Sequence, residues 1–159
     1  MQRKICILGT HHAYQYQALR RAYLQNVRDL ISIHSVDLVA EEATGITDAT
    51  YADRLIKAEF DSHISWKNVD LSAEERKIAP DINRMGFGTR VDFDLHMLRE
   101  WVWVIRTSKA MKNSALLICG FAHTFSVAEK FQLAGFEVET NVYFDKLDED
   151  NIKNAGQTE

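Results

Sequence analysis

Two Gly-x-x-His runs stand near opposite ends of the chain, Gly9-Thr10-His11-His12 and Gly120-Phe121-Ala122-His123. Each follows a short apolar run and precedes a helical pattern. A histidine in that setting lies near a helix N-terminus, whose positive end disfavours imidazolium and keeps the ring neutral. Neutral imidazole can ligate a metal or take a proton. Between the two runs, the segment DLVAEE ends in the acidic pair Glu41-Glu42, and His96, Arg99, Trp103 and Arg106 follow at i, i+3, i+7 and i+10. That spacing lines one face of a helix, where Arg99 is available to hold an oxyanion, a carboxylate or a phosphate. These parts suit two hydrolytic chemistries. With a divalent metal, Mn or Zn, the ligands His12, Glu42 and His123 leave a position for a water whose pKa the metal lowers toward neutrality. Without one, a histidine oriented by Glu42 is the general base, and Arg99 with helix N–H groups stabilises the oxyanion.

Around these four catalytic candidates, Gly9, His11, Glu41, His96 and Gly120 are candidate substrate-binding residues. Each has an ordinary alternative. His11 leaves its turn in a different direction from His12 and can face solvent. Glu41 and Glu42 are neighbours on a strand, so they point to opposite faces and do not both reach one metal. His34 suits a helix C-terminus, His63 a loop, Trp101 and Trp103 the core, and Arg99 with Glu100 a solvated charge pair.

The elements that must carry these residues alternate. Lys4 to Leu8, Val36 to Ala40 and Ala115 to Cys119 are short apolar runs that read as buried parallel strands, and Phe136 to Phe144 reads as a fourth. Tyr14 to His34 has helical periodicity through Leu19, Tyr23, Val27, Leu30 and Ile31. Further helices are predicted over Ala49 to Ser62, after Ser72 where Ser72 and Glu75 form a capping box, over Val91 to Lys112, and over Thr124 to Ala134 with Gly135 as C-cap. In the long helix Leu95, Leu98, Val102 and Ile105 are expected to pack inward, with Asp92 on the site side. Pro80, Gly86 and Gly88 interrupt the stretch before it. The order βα-β-ααα-βα-β implies an α/β three-layer sandwich with a small, mainly parallel four-stranded sheet and helices on both faces. In such a sheet ligands bind beyond the carboxyl ends of the strands, where the Gly-x-x-His runs and the acidic pair all fall.

Composition narrows the function. The 159 residues, 46% hydrophobic and 26% charged, suit one domain over 1–144, followed by an acidic flexible tail over 145–159. Lys and Arg total 19 against 23 Asp and Glu, a net charge of -4, which lacks the basic excess that nucleic acid requires. No run is long enough for a membrane span or a signal peptide, so a cytoplasmic protein without a membrane partner is expected. Cys6 and Cys119, inside apolar runs, read as reduced core residues. The apolar residues around Trp101 offer a homodimer face.

The ordered set Gly9-x-x-His12, strand-end Glu42, helix pair Arg99-Glu100 with Trp103 beyond it, and Gly120-x-x-His123 resembles the superfamily of Tiki, TraB, erythromycin esterase and ChaN-like proteins. The chain is similar to a minimal, short member. The resemblance implies Gly9 and His12 for the first motif, Glu42 for the strand-end acid, Arg99 for the helix arginine, and Gly120 and His123 for the second motif. Glu100 stands where an Asp or Asn is more usual. The superfamily is functionally mixed. Tiki proteins resemble metal-dependent peptidases, erythromycin esterases use water activated by a histidine, and ChaN-like members bind haem. The expectation is a small hydrolase of an ester or peptide bond in a small-molecule or peptide substrate. A non-catalytic module for an anionic small molecule or haem, and a phosphoesterase, stay open as alternatives.

Overall fold

The structure, a computed structural model, describes residues 2–16, 21–43, 50–60, 63–77 and 95–144, without the side chains of Tyr16, Leu95 and His96. Five strands, β1 (Lys4–Thr10), β2 (Leu38–Glu41), β3 (Ser65–Asn68), β4 (Ser114–Gly120) and β5 (Glu137–Tyr143), form one sheet in the order β3-β2-β4-β1-β5. Every pairing in it is parallel. Helices α1 (His12–Tyr16), α2 (Arg21–Ile33), α3 (Tyr51–Glu59), α4 (Leu95–Ala110) and α5 (Thr124–Leu133) connect them, with a 3₁₀ turn at Phe121–His123 leading into α5.

The sheet has one strand more than the four expected. The additional strand is β3, whose sequence SWKN is short and largely exposed. It pairs with β2 along Leu38↔Ser65 to Glu41↔Asn68. An edge strand of this kind has no apolar run to betray it, because only its pairing partner makes it a strand. The four anticipated strands are present; central β4 is buried along its whole length, as a strand between parallel neighbours should be. The predicted Tyr14–His34 helix is represented by α1 and α2, with residues 17–20 outside the described set.

Strand alternation divides the core into two clusters. Ile5, Ile7, Leu38, Ala40, Ala115 and Leu117 pack with Trp103 and Val104 of α4 and with Val127, Ala128 and Phe131 of α5. The intervening residues Cys6, Leu8, Val39, Leu116 and Ile118 pack with Tyr14 of α1, Tyr23, Val27, Leu30 and Ile31 of α2, and Ala52, Leu55 and Ile56 of α3. Both cysteines are buried and free, in agreement with a core role. Burial pushes the Cys6 thiol up to about 11 and raises that of Cys119 as well, so neither is a ready nucleophile.

Helix α4 is turned relative to the sequence expectation. Arg99 and Trp103 are buried, whereas Ile105 is 49% exposed and Leu98 and Val102 are only partly covered. The polar stripe faces inward because it has an acidic partner there, described below. Asp92 and the Pro80, Gly86 and Gly88 stretch lie outside the described residues, as do residues 145–159. Among the described residues no helix is long and apolar enough to cross a membrane.

Local chemistry sets the element ends. Ser72 and Glu75 form the expected reciprocal box: the Ser72 N–H donates to Glu75 Oε2 at 2.7 Å and the Glu75 N–H to Ser72 Oγ at 3.2 Å. The Asp37 carboxylate accepts the main-chain N–H groups of Lys112, Asn113 and Ser114, anchoring the turn that feeds β4 to the turn that feeds β2. Helices α2 and α5 end alike. The Val36 N–H donates to the Ile31 carbonyl and the Ser35 N–H to that of Ser32; Phe136 and Gly135 repeat the pattern on Phe131 and Gln132. This double bond requires a left-handed residue, which is Gly135 at φ 86° after α5 and Ser35 at φ 48° after α2. Only the first is a glycine. Ser35→Gly should therefore raise stability, by up to about 1 kcal/mol or roughly 2–4 °C in Tm, whereas Gly135→Ala should lower it by a similar amount. Thermal unfolding of the two variants checks both signs; a less stable Ser35→Gly would contradict the account.

Candidate functional site

Strands β1 and β4 are neighbours in register, with Gly9 opposite Cys119 and Thr10 opposite Gly120. The two Gly-x-x-His turns therefore leave the sheet side by side. Each glycine makes room for the other motif. A Cβ on Gly9 would collide with Oγ1 of Thr124, the residue after His123. A Cβ on Gly120 would lie 2.6 Å from Nε2 of His12 and 3.4 Å from Oε2 of Glu42. The glycines are required by the close approach of the two turns.

Glu42 is buried at the end of β2 and belongs to an ionic cluster. Its Oε2 accepts the Gly120 N–H at 2.8 Å and lies 3.7 Å from Nε2 of His12, whose side chain is half-exposed. Its Oε1 accepts from Nη2 of Arg99. Arg99 also meets Asp70 with both arms of its fork, Nε to Oδ1 at 2.9 Å and Nη2 to Oδ2 at 3.0 Å. Asp70 further accepts the Trp103 indole N–H at 3.0 Å and a guanidinium N–H of Arg76. Burial alone would push the Asp70 carboxyl up; hydrogen bonds from Arg99 and Trp103 outweigh it and hold the group below its ordinary range. Arg106 extends the grip, donating to the Asp70 carbonyl and, at 2.5 Å, to Glu75. Arg99, Trp103 and Arg106 thus hold the segment after β3. Two of the Arg99 nitrogens, Nε and Nη2, are thus engaged with Asp70 and Glu42.

His123 is buried and its Nδ1 lies 2.6 Å from Oε1 of Glu100, with its ring edge-on to Trp103 at 5.0 Å. Glu100 also accepts from Ser126 at 2.6 Å and from the Lys130 ammonium at 2.7 Å. Desolvation would raise its pKa, but His123, Lys130 and Ser126 together lower it to about 2. An ionised carboxylate can only accept, so Nδ1 of His123 carries the proton that meets it. Glu100 is therefore the orienting carboxylate of His123 and not the partner of its neighbour Arg99.

Glu41 points the other way, as strand alternation predicts. It is fully buried among Thr50, Trp66 and Gln15, and burial pushes its carboxyl up in spite of three hydrogen bonds. That position is away from solvent, so the structure does not present Glu41 to a substrate. His11 is exposed, its Nδ1 accepting the Ala13 N–H at 3.2 Å. His34 lies 3.6 Å from Glu139, beyond the opposite end of the strands, and His63 is exposed. His96 is on α4, but its side chain lies outside the described residues.

Of the expected ligand set, Glu42 approaches Nε2 of His12 with Oε2, and His123 turns its Nδ1 to Glu100. Both Glu42 oxygens already accept a hydrogen bond, and among the described residues no group of three or more His, Cys, Asp or Glu could hold a metal ion. Sequence reasoning missed Asp70 and Gln15 and undervalued Glu100. Asp70 had one signal, a lone acid between Val69 and Leu71 just before the capping box. Comparison with known protein families, with curated proteins and with solved structures finds no match.

Breaking the buried fork while leaving both carboxylates in place should be severe. Arg99→Ala is expected to lose about 3–5 kcal/mol in denaturant unfolding, since buried Glu42 loses its guanidinium and Asp70 the forked one of its two. Arg99→Lys, a point charge without the fork, should recover only part of it. A loss below about 1 kcal/mol, the range of an exposed pair, would contradict the cluster's structural role.

Acid should act through the same groups. The Glu100 pKa falls on folding from 4.5 to about 2, so its contribution is present above pH 4.5 and fades as pH drops toward 2. Wild type should lose up to about 3 kcal/mol across that window through this group, a loss that Glu100→Gln lacks. Urea unfolding of both proteins from about pH 6, above that window, down to about pH 2.5, near its foot, gives the comparison; parallel curves would contradict the assignment.

Proposed function

We propose that this chain is a small hydrolase of ester or amide bonds that activates water with a histidine at the carboxyl edge of its sheet. The observation that carries the reading is the setting of His12. Its half-exposed ring has Nε2 3.7 Å from a buried carboxylate, Glu42, in space that Gly120 leaves open. Nε2 takes a proton from water, hydroxide adds to the acyl carbon, and the same proton then passes to the departing alkoxide or amine. Glu42 stabilises the imidazolium that exists between those two transfers, a role that suits a carboxylate held from moving by Arg99 and Gly120. The positive end of α5 supports the tetrahedral oxyanion. His123, braced by Glu100, is the second imidazole at the same strand end and orients the water. The resemblance to the Tiki, TraB, erythromycin esterase and ChaN-like superfamily agrees with this version, and the two core clusters suit a three-layer α/β sandwich of the size such a site requires. Residues 1–144 act as one domain in this reading, in the cytoplasm, on a small-molecule or peptide substrate.

The test is a panel of chromogenic esters, peptides and phosphoesters with the full chain, with and without chelator. Ester or peptide cleavage that survives chelation is expected. His12→Ala and His123→Ala should each lower kcat by roughly 10²–10⁴ with unchanged circular dichroism. Gly120→Ala, whose methyl group would displace the His12 ring, should lower kcat with little loss of Tm. Full turnover in His12→Ala sinks the proposal. Stoichiometric metal on wild type that vanishes in His12→Ala would replace the metal-free version, and cleavage of phosphoesters alone would replace the substrate class.

A further inference from the structure

Gln15 is fully buried between His12 and Glu41. Its Nε2 donates to Oε1 of Glu41 at 2.8 Å and to the main-chain carbonyl of Glu42 at 3.2 Å. Both amide protons are thereby used on acceptors. The carboxamide oxygen, 2.8 Å from Nδ1 of His12, is left as an acceptor. The reverse orientation of the amide would set its oxygen against the Glu42 carbonyl, where neither group has a proton to give. Glu41 is in turn fixed from behind. The Trp66 indole donates to its Oε2 at 2.7 Å and the Thr50 hydroxyl at 2.5 Å. Thr50 accepts the Asp53 N–H at 3.1 Å, so its own proton is directed to Glu41. The Glu42 carbonyl, which can only accept, therefore fixes the amide of Gln15, and Trp66 and Thr50 hold Glu41 against it.

We infer that Gln15 and Glu41 are positioning residues that hold His12 as the Nδ1–H tautomer, with the lone pair on Nε2 beside Glu42. The catalytic consequence rests on the hydrolase reading, whereas the tautomer does not. Gln15 supplies the oxygen that only a protonated Nδ1 can meet, and Glu41 keeps the amide from turning over. Second-sphere partners of this kind are routinely what decides which imidazole nitrogen is the reactive one.

The experiment is long-range proton–nitrogen correlation NMR on the full chain with ¹⁵N-labelled histidine, at about pH 8, above the ordinary histidine range. His12 is assigned by the signals that vanish in His12→Gln. In wild type, His12 should show a protonated Nδ1 and a bare Nε2; the Nε2–H tautomer would overturn the inference without any variant. In Gln15→Leu and in Glu41→Ala the His12 signals should move toward the Nε2–H form. An unchanged tautomer in Gln15→Leu overturns the role of Gln15, and in Glu41→Ala that of Glu41. Where an ester is cleaved, Gln15→Leu should lower kcat by about 10–100-fold with KM little changed. If wild type cleaves nothing while His12 is the Nδ1–H tautomer, the hydrolase reading falls and the positioning assignment stands.

Discussion

Arg99 is the residue on which the arrangement of this edge depends. A guanidinium removed from water is tolerated only when its charge and its donors are met with good geometry, and here two carboxylates from different parts of the chain meet it. Glu42 comes from the end of β2, Asp70 from the loop after β3, and Arg99 from α4. None of the three could be buried alone, so their pairing couples the positions of a strand end, a loop and a helix. The coupling reaches His12, because the Glu42 oxygen turned away from Arg99 is the one that meets Gly120 and faces the imidazole. Arg28 and Glu59 form an equally short pair on the surface without any such consequence, since water competes for both and neither element is fixed by it.

The strand order supplies the second constraint. β1 and β4 are separated by most of the chain and adjacent in the sheet, which brings two identical short motifs into contact. Their glycines are then needed for reciprocal reasons: one turn can approach the other only where a side chain is missing. This explains the pattern Gly-x-x-His without invoking a ligand at the glycine. It also leaves no room beside His12 for a methyl group on Gly120 unless the ring shifts.

Much of this was legible in the sequence, and the failures share a cause. β1, β2 and β4 announce themselves as apolar runs, Gly135 marks the end of α5, and β5 follows it as a run of β-branched and aromatic residues set among polar ones. β3 and Asp70 do not, because each owes its state to a partner distant in sequence: β2 for the strand, Arg99 for the acid. The same blindness turned α4 around. A helix face carrying Leu98, Val102 and Ile105 reads as the buried one until Asp70 is known to lie against the opposite stripe. Adjacent Arg99 and Glu100 read as a pair, yet successive helix residues diverge, and each found its own partners: carboxylates for Arg99, His123 and Lys130 for Glu100. Strand period, by contrast, placed Glu41 and Glu42 on opposite faces, and there they lie.

That last pair carries the most information about the site. Strand parity continues through the end of β2: Leu38 and Ala40 pack with α4 and α5, Val39 with α2 and α3, and the two glutamates follow suit. Glu41 meets only neutral donors, so burial dominates and its carboxyl is pushed up. Glu42 meets a guanidinium. Two chemically identical neighbours thus acquire opposite electrostatic surroundings from one bond's difference in position, and a one-residue slip of β2 would exchange them. Both nevertheless converge on one ring, Glu42 approaching Nε2 of His12 directly and Glu41 reaching Nδ1 through Gln15. The two nitrogens of that imidazole thus face groups sent from opposite faces of a sheet, Gln15 at Nδ1 and Glu42 near Nε2, an arrangement that an acidic pair can make at a strand end and not on a helix, where successive side chains could not be sent to opposite faces.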